Sequence, residues 1–194
     1  MTNFVLDEPA IRNCVLPMTS EQYRFMGESG LLENNVELIR GFIVKKMPKS
    51  PLHTLLVTRL QAALVGLLPT NYFVRKEEPL ALQNSEPEPD LALVIGSAEQ
   101  YAQNHPSGSE TVLVCEVALS SLALDRKKAE LYAEADIPHY WLVNGVEMRL
   151  EAYSTPEQGV YTHCTILAFN ESITVPFAAG NALHLSTIFP HPAE

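Results

Sequence analysis

The sequence predicts an α/β or α+β protein with a central mixed sheet, flanking helices and an additional C-terminal β-meander. Three observations support this: short apolar runs typical of strands, helical apolar spacing behind capping residues, and strand patterns that continue after the last helix. With 194 residues, the chain suits one domain with a substantial core. We expect a single domain over residues 1–194, with an N-terminal extension (1–17), a core (18–155) and C-terminal strands (156–194).

The first third of the chain predicts an irregular start, two helices and a hairpin. Thr19 or Ser20 can cap the first helix, and Ser50 followed by Pro51 opens the second. Apolar residues at helical spacing extend the second helix until Pro69 stops it. The predicted elements are an irregular segment at 1–17, a helix at 21–28, a hairpin at 36–47 turning at Arg40 and Gly41, and a helix from 51 to about 68.

The rest of the chain predicts mostly strands. Pro87 and Pro89 exclude regular strand pairing of the loop that connects the first two of these strands, because proline has no N–H to donate. Ser120 or Ser121 can cap the single long helix of this region. The predicted elements are strands at 72–82, 90–95 and 111–117, a helix at 122–135, and strands at 139–143, 148–153, 160–167, 173–177 and 183–189.

The composition is that of an ordinary soluble globular protein, with 46% hydrophobic and 19% charged residues. The N-terminus lacks a basic region followed by an apolar run, and the longest apolar stretch is interrupted by polar residues, so we expect neither a signal peptide nor a membrane span. Cys14, Cys115 and Cys164 are far apart, which favours free thiols over a disulfide framework or a zinc knuckle. We therefore expect a cytoplasmic protein.

The net charge of −10 limits the partners. An acidic chain repels nucleic acid unless it concentrates its lysines and arginines locally. Tight, non-specific DNA binding is therefore disfavoured. A nuclease is not excluded, because the acidic residues of such a site are neutralised by metal.

Two carboxylates stand out because they occur in otherwise apolar strand sequences. Asp90 directly precedes LALVI, and Glu116 lies inside VLVCEVA. A charge in a buried strand is costly unless it is paired or binds a metal, and a divalent cation relieves the repulsion between two acids. Carboxylate oxygens favour Mg²⁺ or Mn²⁺. The structural alternative is that Glu116 pairs with a Lys or Arg and that Asp90 caps a turn.

The helix after the Glu116 strand supplies two candidate lysines. Lys128 shares a helix face with Tyr132, four residues on, whereas Lys127 points about 100° away by helix geometry. Either lysine could reach back over the strand end towards Glu116, and the other would be a solvated surface lysine.

Four segments in this order resemble the Uma-type restriction endonucleases, a bacterial family of the PD-(D/E)XK nuclease superfamily. The segments are VELIRG with Glu37, EPEPD ending at Asp90, VCEVALSS around Glu116, and DRKKAELYAEADIPHYWLVN. The resemblance covers roughly residues 18–155 and is most specific in the last segment. It implies a restriction-endonuclease-like core in which a hairpin holds the two principal acids.

The resemblance also implies the site residues. Asp90 and Glu116 match the two principal acids, and Glu37 matches the early acid of the family. Ala118 occupies the place of the expected lysine, two residues after Glu116. Lys128 matches the family members in which that lysine has moved to the next helix, and Lys127 is the fallback.

The function implied is a Mg²⁺- or Mn²⁺-dependent endonuclease acting on nucleic acid, with DNA as the expected substrate. Asp90, Glu116, Glu37 and the backbone carbonyl of Val117 would hold the metal, and Lys128 would lie near the nucleophile or the scissile phosphate. Two alternatives stay open: a catalytically decayed binding module, and a metal-dependent phosphohydrolase of small substrates. The C-terminal strands could also form a homodimer surface, although closing the core is the commoner use of such strands.

Overall fold

The computed structural model describes residues 8–178 and 180–190. The α-helices are α1 (Pro9–Arg12), α2 (Ser20–Glu28), α3 (Pro51–Val65) and α4 (Leu122–Glu134). The strands are β1 (Val36–Ile39), β2 (Phe42–Lys45), β3 (Tyr72–Lys76), β4 (Leu91–Ile95), β5 (Thr111–Ala118), β6 (His139–Asn144), β7 (Arg149–Glu157), β8 (Val160–Ala168), β9 (Ser172–Thr174) and β10 (Ala182–His184). Short 3-10 helices lie at Ala98–Tyr101, Gly108–Glu110 and Leu185–Thr187.

A six-stranded mixed sheet is the centre of the fold, in the order β3-β4-β5-β6-β7-β8. All neighbours are antiparallel except β5 and β6, which run parallel and are joined through α4. A parallel pair needs a crossover of this kind, whereas antiparallel neighbours need only short turns. The predicted fold class, a mixed sheet with flanking helices, is confirmed.

The core lies on both faces of this sheet. On one face, α3 packs through Leu56, Leu60 and Leu64 against a cluster that includes Trp141. On the other face, α4 packs through residues such as Tyr132. Because both faces are covered, β4 and β5 are buried almost throughout, and a charged residue at their ends is held away from bulk water.

The β1–β2 hairpin is separate from the central sheet. It turns at Arg40 (φ 50°) and Gly41 (φ 82°), as predicted, and two consecutive positive φ values are typical of the tight turns that connect hairpins. A bridge between Leu38 and Glu86 docks the hairpin on the loop that precedes β4. This contact brings β1 next to the acidic strand ends.

Three predicted segments in the first half of the chain were wrong in extent. Helix α1 lies in the predicted irregular segment 1–17, of which residues 1–7 lie outside the described range. Helix α3 ends at Val65 rather than near 68, because Gly66 forms the C-cap. Strand β3 ends at Lys76 rather than at 82, because Glu77 adopts a left-handed φ of 56° and Pro79 follows.

The strands predicted at 148–153 and 160–167 are confirmed as β7 and β8, which pair antiparallel, whereas the last two predicted strands were wrong in extent. The meander β6-β7-β8 belongs to the central sheet, and β7 spans the predicted boundary at 155. The strands expected at 173–177 and 183–189 are much shorter, and they pair with each other as β9 and β10. Pro176 ends one of them, and the other continues as a 3-10 helix. Within the described residues, no helix is both long and apolar enough to span a bilayer.

Candidate metal centre

Asp90 and Glu116 lie side by side because β4 and β5 pair antiparallel, with Leu91 opposite Cys115. Asp90 N–H points at Glu116 Oε2 over 3.4 Å, and Val117 N–H donates to Asp90 Oδ2 at 2.8 Å. Asp90 is 7% exposed and Glu116 is 5% exposed. The predicted pair of neighbouring buried acids is therefore present at one end of the sheet.

Lys128, and not Lys127, faces these acids. Lys128 Nζ lies 3.1 Å from Glu116 Oε1 and 2.8 Å from Glu37 Oε1. Lys127 is 75% exposed and pairs with Glu130 on the helix surface at 2.9 Å. Of the two candidate lysines, therefore, only Lys128 contacts the acids.

Ala118 lies where the usual family pattern would place a lysine. It is buried and belongs to the same apolar cluster as Ala129 and Tyr132 of α4. The small side chains of Ala118 and Ala129 allow α4 to lie close to β5, and from there Lys128 reaches Glu116. The helix lysine therefore supplies the positive charge that residue 118 lacks.

Glu37 enters the site through the β1–β2 hairpin. One of its oxygens pairs with Lys128, and the other, Oε2, accepts the N–H of Glu88 at 3.1 Å. Glu37 is only 2% exposed. Its described contacts therefore hold Lys128 and the loop before Asp90 in place, and the predicted role of Glu37 as a metal ligand stays a prediction.

Three further side chains contact the site but were not among the predicted site residues. His53 Nε2 lies 3.1 Å from Asp90 Oδ2, and the Tyr132 hydroxyl donates to Glu116 Oε1 at 2.9 Å. Asp125 is buried and accepts the hydroxyl of Ser121 at 2.5 Å. Because Lys128 and Tyr132 are four residues apart on one helix face, the sequence could have predicted that Tyr132 lies near the site. No sequence pattern predicts the contact of His53 with Asp90.

The site holds more buried carboxyl groups than cations. Burial raises the pKa of Glu116 to about 8; Lys128 opposes this rise, and Asp90, Asp125 and Glu37 add to it. Burial also raises the pKa of Asp125. Burial alone would lower the pKa of Lys128, but Glu116 and Glu37 raise it above its usual range. Lys128 is therefore a permanent cation among more acids than it can neutralise.

The donor set fits a hard divalent cation. Both hydrogen bonds to the Asp90 carboxylate among the described residues go to Oδ2, which leaves Oδ1 for another partner. In a strand, the N–H and C=O of a residue point to the same side, so the Val117 carbonyl faces the side of Asp90. In the described part of the chain, no three His, Cys, Asp or Glu side chains converge as a ready-made metal cage. Mg²⁺ typically needs only about one or two carboxylates, together with waters and substrate phosphate.

A cavity of ≈ 130 Å³ opens over these groups. Asp90, Glu116 and Lys128 line it, and the end of β2 and the segment that follows contribute three lysines. These lysines are Lys45, Lys46 and Lys49. Lys46 is paired with Glu88, which also lines the cavity, and Lys49 is paired with Glu77, so glutamates balance much of this positive charge.

Comparisons with known proteins agree with this architecture. A family model described as "Uma2: Putative restriction endonuclease" matches residues 30–186, which extends further towards the C-terminus than the resemblance noted from the motifs. No curated protein matches. Among solved structures, the crystal structure of a "putative nuclease belonging to DUF820" from Anabaena variabilis superposes with a TM-score of 0.71. That chain is 17% identical, and the match covers 89% of this chain and 98% of the other.

At this identity, the structural likeness establishes the fold alone. The family assignment rests on the family model, whose matched range includes the Glu37 hairpin, Asp90, Glu116 and helix α4. The resemblance drawn from the sequence motifs is confirmed. Because the matched range covers most of the sequence, the chain belongs to the Uma2 family of putative restriction endonucleases.

Proposed function

We propose that this protein is a nuclease that hydrolyses phosphodiester bonds of nucleic acid with the help of Mg²⁺ or Mn²⁺ held by Asp90 and Glu116. The observation that carries the proposal is the adjacency of these two buried acids, with Lys128 3.1 Å from Glu116, at the wall of an open cavity. The excess of buried carboxyl groups over cations gives a divalent cation, which favours their ionised forms, a favourable place to bind.

Each residue of the site would have a distinct role. Asp90 and Glu116 bind the cation, and the Val117 carbonyl is a third oxygen on the same side. Val117 N–H and His53 fix the orientation of the Asp90 carboxylate, and Tyr132 fixes that of Glu116. When bound, Mg²⁺ or Mn²⁺ lowers the pKa of a coordinated water and stabilises charge on the phosphate.

Lys128 would stabilise the charge that develops on the phosphate. An ammonium has three donors, and the contacts to Glu37 and Glu116 use two of them. The remaining donor is available to a phosphate oxygen or to the attacking water. Because the site is buried, a positive charge at this position is worth more than it would be in water.

The substrate class follows from the family. The matched descriptions name a restriction endonuclease family and a nuclease, which makes DNA the first substrate to test. Lys45, Lys46 and Lys49 line the cavity in a chain of net charge −10, but Lys46 is paired with Glu88 and Lys49 with Glu77. We expect weak, salt-sensitive binding to DNA.

Cleavage of supercoiled plasmid is the direct test. We expect nicking or linearisation with Mg²⁺ or Mn²⁺, no cleavage in EDTA, and loss of cleavage in Asp90→Asn and Glu116→Gln. Glu130→Gln is a matched control, because it removes an exposed acid of α4. Equal inactivity of the wild type and both site variants on DNA and RNA, at several metal concentrations, would refute the proposal.

A metal-dependent phosphohydrolase of small substrates is the second candidate. The volume of ≈ 130 Å³ and the acidic chain favour a compact ligand. Hydrolysis of bis(p-nitrophenyl) phosphate without cleavage of any polynucleotide would select this function. The decayed binding module predicts neither activity, and no Mn²⁺ binding that depends on Asp90.

A further inference from the structure

The two edges of the central sheet differ in length and charge. Strand β3, at one edge, has five residues and includes Arg75 and Lys76. Strand β8, at the other edge, has nine residues, VYTHCTILA, with no proline, acid, lysine or arginine. Proteins protect exposed edges by short strands, charges and prolines. Strand β3 has such protection and β8 does not.

The outer side of β8 is open in the part of the chain that the structure describes. No described strand pairs with it beyond β7. Val160 is 51% exposed and Ile166 is 58% exposed, and Cys164 is exposed as well. An edge of this length presents a row of backbone donors and acceptors that another strand can use.

A second copy of the chain fits this edge better than a charged partner does. Copies with net charge −10 repel each other wherever their acidic surfaces meet, and the neutral strand β8 is a place where they can approach. In an antiparallel pair centred on Cys164, Val160 faces Ala168 and Thr162 faces Ile166. No like charges are opposed in this register, and both exposed apolar residues gain contacts.

We propose that β8 pairs antiparallel with β8 of a second copy, with the two Cys164 residues opposite each other, so that the two central sheets join into one. Residues directly opposite in an antiparallel pair have Cα atoms about 4.5–5.5 Å apart. Disulfides typically span Cα distances of about 4.4–6.8 Å. The register therefore brings two thiols within crosslinking distance at the symmetry axis.

Crosslinking tests the register. Full-length protein in a Cys14→Ser background is oxidised with copper phenanthroline in air and separated on a non-reducing gel. Cys115 is buried, so Cys164 is the accessible thiol of this variant. We expect a disulfide-linked dimer that disappears in Cys14→Ser/Cys164→Ser. A dimer in solution that does not crosslink through Cys164 would overturn the proposed register.

Charge repulsion tests the interface itself. Cys164→Asp places two carboxylates opposite each other in the proposed pair, so we expect sedimentation velocity to show a dimer for the wild type and a monomer for Cys164→Asp. Cys14→Asp is the matched control at the other exposed cysteine, and it should remain dimeric. Circular dichroism of each variant checks that the chain is folded. A monomeric wild type over a wide concentration range, or a folded Cys164→Asp dimer, would overturn the proposal.

Discussion

The Lys128 ammonium lies 3.1 Å from the Glu116 carboxylate, with Lys128 8% and Glu116 5% exposed. The two residues come from different elements, a helix and a strand, and the contact requires α4 to lie close to β5. Buried ion pairs are weak evidence for stability, but breaking one by removing a single partner is costly. Stability measurements on variants of this pair therefore test the geometry of the site without substrate.

Lys128→Ala and Lys127→Ala form the first test. Lys128→Ala leaves Glu116 and Glu37 buried without their cation, so we expect the free energy of unfolding to fall by about 3–5 kcal/mol above about pH 8, where Glu116 is ionised. Lys127→Ala removes an exposed pair with Glu130, and we expect a change of no more than about 1 kcal/mol. Urea denaturation measures both. Similar losses in the two variants would contradict the described positions of the lysines.

The second prediction concerns pH in the metal-free protein. The pKa of Glu116 is about 8 in the folded state, above the ordinary value of 4.5. An acid whose pKa is raised on folding favours the folded state below its unfolded pKa, and this contribution is lost as the pH rises through about 8. In EDTA, we expect the free energy of unfolding to drop more between pH 5 and pH 9 in the wild type than in Glu116→Gln. An equal drop in both proteins would mean that Glu116 does not titrate in this range.

The main acids of this site were predictable from the sequence, but the contacts between them were not. Asp90 and Glu116 are identifiable because a charge in an apolar strand is unusual, and the antiparallel pairing of their strands then brings them together. The helix pattern left Lys127 and Lys128 as candidates, and the family resemblance favoured Lys128. The contact of His53 with Asp90 joins residues 37 positions apart, and only the packing of α3 on the sheet produces it.

The fold, like the site, was predictable from the sequence only in part. Strand and helix cores follow from local patterns, so β4, β5 and α4 lie where they were predicted. The early end of β3 depends on the left-handed Glu77, and the short β9 and β10 depend on how residues after 168 pack beneath α3. Tertiary contacts of this kind leave little signal in a single sequence.

Metal binding gives the third prediction, and it does not depend on catalysis. A ligand that binds only the folded state stabilises it by about 2.7 kcal/mol at a concentration of about 100 times its Kd. We expect Mn²⁺ to raise the free energy of unfolding of the wild type and of Glu130→Gln, and to leave Asp90→Asn unchanged. Equal stabilisation of Asp90→Asn would place the ion elsewhere.

Tyr132 is the subject of the fourth prediction. Its buried hydroxyl donates to Glu116 Oε1 at 2.9 Å, so Tyr132→Phe should lower the free energy of unfolding by about 1–3 kcal/mol and reduce any nuclease activity. Tyr161→Phe is the control, because the Tyr161 hydroxyl donates to the carbonyl of Ile137, away from the acids. Tyr161→Phe should lose stability and keep its activity per folded molecule. Equal activity in both variants would show that Tyr132 is structural only.

His53 gives the fifth prediction. Its Nε2 and the N–H of Val117 both contact Asp90 Oδ2, so His53 helps to turn Oδ1 towards the proposed cation. Groups that orient a metal ligand typically contribute about 10–100-fold in metal affinity. Calorimetry should therefore find Mn²⁺ binding to His53→Ala weaker by about this factor. His163→Ala, an exposed histidine on β8, should bind Mn²⁺ like the wild type. Unchanged affinity in His53→Ala would mean that Val117 alone positions Asp90.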